Sequence, residues 1–137
     1  MTQPLLSEAT VQEIQLDLIR RSSFNNFDGP RVVASLQRHR ELWVAACIDR
    51  LNDWAENPGW LPDMSLIKLR DLDSDSWNVD TLFILTSSPD TAHEMARVVC
   101  EEQWYADRIK VHTDPEEICS ALGSGERNYG LLSVWWD

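Results

Sequence analysis

The sequence predicts an α+β (mixed α/β) fold: an N-terminal layer of two to three helices packed on a mixed sheet of about four strands, with two further helices. Three observations carry this. Apolar residues recur at three- and four-residue steps through the first half. After Ser65 they bunch into short runs of strand length, and two Pro-led helix starts separate the later runs. The 137 residues are expected to form one domain, with a helical half over about 7–57 and a sheet-containing half over about 64–137.

The first helix is expected over about 8–22, where Val11, Ile14 and Leu18 share a face. Ser7 can cap it, with Leu6 and Val11 as a staple; Thr10 and Glu13 offer a rival capping box one turn later. Ser22 to Pro30 carries Asn, Asp, Gly and Pro together and reads as a loop. Residues 31–56 read as the second helical region, through Val33, Leu36, Trp43, Cys47, Leu51 and Trp54. A break near Arg38-His39-Arg40 would divide it in two. Asn57-Pro58-Gly59 ends it, and Asn57 to Asp63 is the expected seam between the halves.

Leu66, Ile67 and Leu69 suggest a strand, closed by the acidic turn Asp71-Leu-Asp-Ser-Asp-Ser. Val79 to Leu85 is the strongest strand, apolar enough for burial on both faces, and pairs with the preceding one as a hairpin. Ser88 then caps a helix with Pro89 at its first position, and Ala92, Met95, Ala96 and Val99 form its buried stripe. Arg108 to Thr113 returns as a strand. Asp114, Pro115 and Glu117 start another helix that Gly123 closes, and Tyr129 to Trp136 is the last strand. This β-α-β-α-β order favours strands that are at least partly parallel. The shortness of the second helix makes an α+β arrangement the competitor.

Composition narrows the chemistry. The net charge is −11, divided as −2 over residues 1–68 and −9 over residues 69–137. Acidic surface repels phosphates, and the arginines of the first half (Arg20, Arg21, Arg31, Arg38, Arg40 and Arg50) are nearly cancelled by local acids, so nucleic acid is not the expected partner. No apolar run approaches the roughly 20 residues of a membrane helix, and the first residues lack the order of a signal peptide. A cytoplasmic protein with reduced thiols is expected, its three cysteines serving as small buried apolar side chains.

Asp71, Asp73 and Asp75 repeat the first ligand positions of a calcium loop. The glycine and glutamate that loop needs are replaced by Ser76 and Leu82, so a solvated acidic turn is the simpler account. His39, His93 and His112 sit on three separate elements without zinc spacing. His93 and Cys100, seven residues apart on one helix, are separated by roughly 10 Å and cannot form a catalytic pair. No metal or cofactor is therefore expected. Were the sheet parallel, a ligand crevice would lie beyond its strand ends, at Ser87 and Ser88 after one strand and at His112, Thr113 and Asp114 after another, although Ser88 and Asp114 are also accounted for as helix caps.

Seven tryptophans are many for this length. Trp135 and Trp136 are neighbours on one strand, so one should face inward and the other outward. An outward indole is a natural interface anchor. The leading expectation is a non-enzymatic acidic interaction domain, of the small inhibitor or immunity type, docking a basic surface on another protein through Trp135, Trp136, Asp71, Asp73 and Asp75. The alternative is a small-molecule or enzymatic domain using the crevice near Ser87 and His112. A homodimer through the Trp-bearing edge is compatible with either.

Overall fold

A computed structural model describes residues 5–50, 58–61, 66, 68–123 and 128–137. The end of the second expected helix (51–56, with Leu51 and Trp54), residues 57, 62 and 63 of the seam, and Ile67 lie outside the described residues.

The first helix, α1 (Val11–Arg21), begins at Thr10, not Ser7. Thr10 accepts from the Glu13 N–H while the Glu13 carboxylate accepts from Thr10 N at 2.9 Å, so two otherwise orphaned donors are met at once. Ser7 lies instead in a 3-10 turn, Leu6–Glu8. The expected loop holds a two-residue hairpin, β1 (Ser23–Phe24) with β2 (Phe27–Asp28), turned through Asn25 at φ 48°. Asp28 then caps α2 (Gly29–Arg38), accepting from Arg31 N, with Pro30 in the first turn. The helix stops at His39, where a break was expected.

The chain does not resume as a helix. Ala45–Asp49 is strand β3, which corrects the helical reading of 31–56 and places a strand inside the supposed helical half. Trp43 and Cys47 fit a helical step, but Ala46 and Ile48 alternate inward with a period of two. Two glutamines of α1 settle the matter. Gln12 brackets Ala46 through both its amide ends (2.9 and 2.7 Å), and Gln15 accepts from Ile48 N at 3.0 Å. Backbone groups on the strand's open edge are thereby satisfied.

Lys68–Asp71 is a short helix, α3, continued by a 3-10 turn at Leu72–Ser74. Among the described residues the strand expected from Leu66 to Leu69 is thus absent, and with it the hairpin. The partner of β4 (Thr81–Thr86) is β3, thirty-odd residues upstream. Helix α4 (Pro89–Glu101), strand β5 (Arg108–His112), helix α5 (Pro115–Leu122) and strand β6 (Gly130–Trp135) follow with the expected caps Ser88, Asp114 and Gly123.

The four-stranded sheet has the order β3-β4-β6-β5 and is antiparallel throughout, correcting the expectation of parallel pairing. Strands β4 and β5 do run the same way, as a β-α-β unit requires, but β6 lies between them and opposes both. The eight residues of α5 suit that return, since antiparallel neighbours need no long crossover.

One face of the sheet (Ala46, Ile48, Leu82, Ile84, Leu132 and Val134) packs with Ile19, Leu36, Met95 and Val99 of the helices to form the core. The opposite, outer face carries Cys47, Phe83, Leu131, Ser133, Trp135, Lys110 and His112. Cys47 and Cys119 are half-buried and Cys100 is exposed, so the cysteines are not the buried trio expected. Burial, with Asp49 adding to it, raises the pKa of the Cys47 thiol and keeps it protonated.

Helix α4 is clamped to α2 by Glu102. Ser35, fully buried, donates to its carboxylate at 2.6 Å, and Arg38 and His39 close on the same group. The Ser35 hydrogen bond, helped by Arg38 and His39 and opposed by partial burial, lowers the Glu102 pKa from 4.5 to about 2. A carboxyl depressed in the folded state stabilises it above its unfolded pKa and loses that contribution as pH falls. Acid titration of the folded chain should therefore show a loss of stability between pH 4.5 and about 2 that Glu102→Gln flattens. Identical acid limbs for the two chains would refute the clamp.

Candidate functional site

Antiparallel register brings the end of β3, the start of β4, the end of β6 and the start of β5 to one edge of the sheet. An aspartate stands at or just beyond that end of each strand: Asp49 in β3, Asp80 before β4, Asp137 after β6 and Asp107 before β5. Backbone bonds stitch the row together, from Asp80 N to Asp49 O (3.1 Å), Trp136 N to Asp80 O (3.0 Å) and Asp107 N to Trp135 O (2.9 Å). Asp137 N donates to the Asp107 carboxylate at 2.8 Å. Asp49, Asp107 and Asp137 are exposed and Asp80 is half-buried.

Trp135 lies beside this row on the outer face, between Thr81 and Arg108. It is half-buried, with the Arg108 guanidinium 5.5 Å from its ring centre. Trp136 points the other way and is 1% exposed. Its indole N–H donates to Trp104 O at 2.9 Å, and its ring meets Phe27 edge-on at 4.4 Å. Trp136 is a core residue, which removes it from the expected contact surface. Strand alternation sends the second indole inward, and a buried N–H needs an acceptor.

Of the acidic turn, Asp73 and Asp75 are exposed and Asp71 is half-buried. Asp75 pairs with Arg21 at 3.2 Å and Asp71 with Arg70 at 3.0 Å. Among the described residues no three His, Cys, Asp or Glu side chains are grouped to hold a metal. A cleft of about 330 Å³ separates Asp75 from Asp80 and is walled by Phe24, Trp77 and Arg21. Asp75 of the acidic turn and Asp80 of the strand-end row thus line one concavity, together with Arg21 and Arg50. A second cleft, about 480 Å³, opens between the β1–β2 hairpin and the chain after α4. Gln103 and Tyr105, both at φ 57°, turn that chain so that Trp104 enters the core.

The opposite end of the sheet holds the residues of the expected crevice, and the structure divides them. Ser87 and Ser88 follow β4, whereas His112, Thr113 and Asp114 close β5, and β6 runs between. Ser88 caps α4 through Thr91 N, and its carbonyl accepts from Thr86 at 2.8 Å; Asp114 caps α5 through Glu116 N. Neither cleft above includes any of the five. A crevice at strand ends belongs to open parallel sheets, and this sheet is not parallel.

His112 does gather partners, though not those expected. Its Nε2 lies 2.8 Å from Ser133 Oγ, and its Nδ1 is hydrogen-bonded to Glu117. Ser133 was not singled out by sequence because nothing local marks it. The β5–β6 register alone sets it diagonal to His112 on the outer face. No family model, curated protein or solved structure matches the chain.

Proposed function

We propose that the chain is a protein-interaction domain that docks a basic surface of another protein against the acid-lined end of its sheet, in the manner of a small inhibitor or immunity-type protein. One observation carries the reading: four strands each place an aspartate at the same edge, around the half-buried indole of Trp135. Aligned carboxylates speed encounter with a basic partner, and an indole among them supplies contact area once water is expelled. The negative field also disfavours a second copy binding through this edge, because like surfaces repel. Among the described residues no helix is long and apolar enough to cross a membrane, so the reading needs no lipid.

The test is capture of a basic partner from native extract followed by binding kinetics. Raising salt from about 0.01 to about 1 M shortens the screening length from roughly 30 to roughly 3 Å. Association should slow at least about tenfold over that range, and the triple change Asp80→Asn, Asp107→Asn, Asp137→Asn should slow it similarly at low salt. Trp135→Ala should instead speed dissociation. A captured partner whose association ignores both salt and the triple change would refute docking at this edge.

A further inference from the structure

We infer that Ser133 is an activated nucleophile and that the outer face of the sheet hydrolyses small uncharged esters, an activity separate from docking at the acidic edge. The observation is a continuous hydrogen-bonded chain from three elements: Ser133 on β6, His112 on β5 and Glu117 on α5. A serine hydroxyl is a weak nucleophile until a neighbouring base takes its proton, and that base must be held in one tautomer by a third group. Here the Nδ1–H of His112 is donated to the Glu117 carboxylate. The Nε2 lone pair is then left for the Ser133 hydroxyl at 2.8 Å, inside the range a base needs.

The local structure serves that arrangement. Glu117 is the third residue of α5, where an acid ordinarily folds back on the cap. Asp114 alone provides the cap, through Glu116 N, and Glu117 reaches the imidazole instead. The His112 side chain is 14% exposed, and Ser133 beside it is half-buried. Lys110 stands directly opposite Ser133 in the register, on the same face, and is the cation placed to stabilise a developing oxyanion. Phe83 on β4, with Leu131 and Trp135 along β6, supplies apolar flanks that suit a short acyl or aryl group.

The chemistry closes with water as the sole co-reactant. Ser133 Oγ attacks the ester carbonyl carbon while its proton passes to His112 Nε2. The tetrahedral adduct expels the alcohol, which takes that proton, and leaves an acyl–Ser133 ester. Water then attacks the acyl carbon, gives a proton to His112, and the released serine oxygen recovers it. One ester and one water become one alcohol and one carboxylic acid, without change of oxidation state.

The test uses the intact chain with diisopropyl fluorophosphate, read by peptide mass, and p-nitrophenyl acetate, read by initial rate. The native chain should take one phosphoryl adduct, on Ser133, and the urea-unfolded chain none. Ser133→Ala should lose the adduct with its melting unchanged. His112→Ala should slow labelling by about 100-fold or more; where it unfolds, His112→Gln, which fills the space without the base, is read instead. Glu117 is a positioning residue, so Glu117→Gln should slow labelling while Glu117→Asp retains most of it, at equal melting temperature. An unlabelled native chain, an adduct on another serine, or equal labelling of a folded His112 variant overturns the proposal and shows the three side chains to be a strut between α5 and the sheet.

Discussion

Gly29→Ala is expected to leave the chain unfolded at room temperature or to cost at least about 3 kcal/mol, the upper range for overpacking. A Cβ there would meet Ile19 O at 2.1 Å, Ser22 O at 2.3 Å and Arg20 O at 2.8 Å. All three are backbone carbonyls of the end of α1, so no side-chain rotation relieves the clash. The first turn of α2 is pressed on the last turn of α1, and only a residue without Cβ allows it. Gly130→Ala should come close behind. Its Cβ would lie 2.4 Å from Ser88 O and 2.7 Å from both Ala92 Cβ and Thr86 Oγ1, where the start of β6 passes the end of β4 and the first turn of α4. Gly123→Ala is the control. It adds strain at a left-handed helix end (φ 81°) but meets nothing within 4 Å, so about 1 kcal/mol is expected. Urea unfolding of the three variants checks the order. A Gly29→Ala chain within 1 kcal/mol of the parent would show that α1 and α2 do not meet this way.

The two C-terminal indoles should separate by more than 2 kcal/mol. Trp136→Ala is expected to cost about 3–5 kcal/mol, because it empties a fully enclosed site against Phe27 and Trp104 and leaves Trp104 O without its donor. Trp135→Ala removes a half-buried ring beside Arg108 and should cost about 1 kcal/mol or less. Its effect belongs in partner dissociation. Denaturant midpoints of the two single variants decide it. A Trp135 variant the less stable of the pair would mean that β6 presents the other face to the helices, and the docking surface would move with it.

How far the sequence could be read varied with the range of the forces involved. The caps at Ser88 and Asp114, the left-handed stop at Gly123 and strands β4, β5 and β6 were legible, because side chains within four residues of each other settle them, while Thr10 stood only as the rival of Ser7. Strand β3 was not. Trp43 and Cys47 satisfy a helical step, and the groups that overrule it, Gln12, Gln15 and β4, lie about 33 or more residues away. The same holds for the site. The acid excess of the second half was plain, but Asp49 and Asp80 become neighbours of Asp107 and Asp137 only through the strand order. Of Asp71, Asp73 and Asp75, only Asp75 comes near that row, across a cleft it shares with Asp80. Trp135 and Trp136 were seen to part company, without a sign of which would turn inward.

Composition and local spacing alone established the class of the fold, the sign of its charge and the caps of the last two helices at Ser88, Asp114 and Gly123. These depend on capping bonds, side-chain periodicity and net charge, all carried by residues near in sequence. Direction of pairing, the insertion of β6 between β4 and β5, the inward turn of Trp136 and the meeting of Ser133 with His112 were settled by packing. Each depends on which distant strand best buries an apolar face and meets the open backbone groups of its neighbour, and that contest is decided only when the whole chain is assembled.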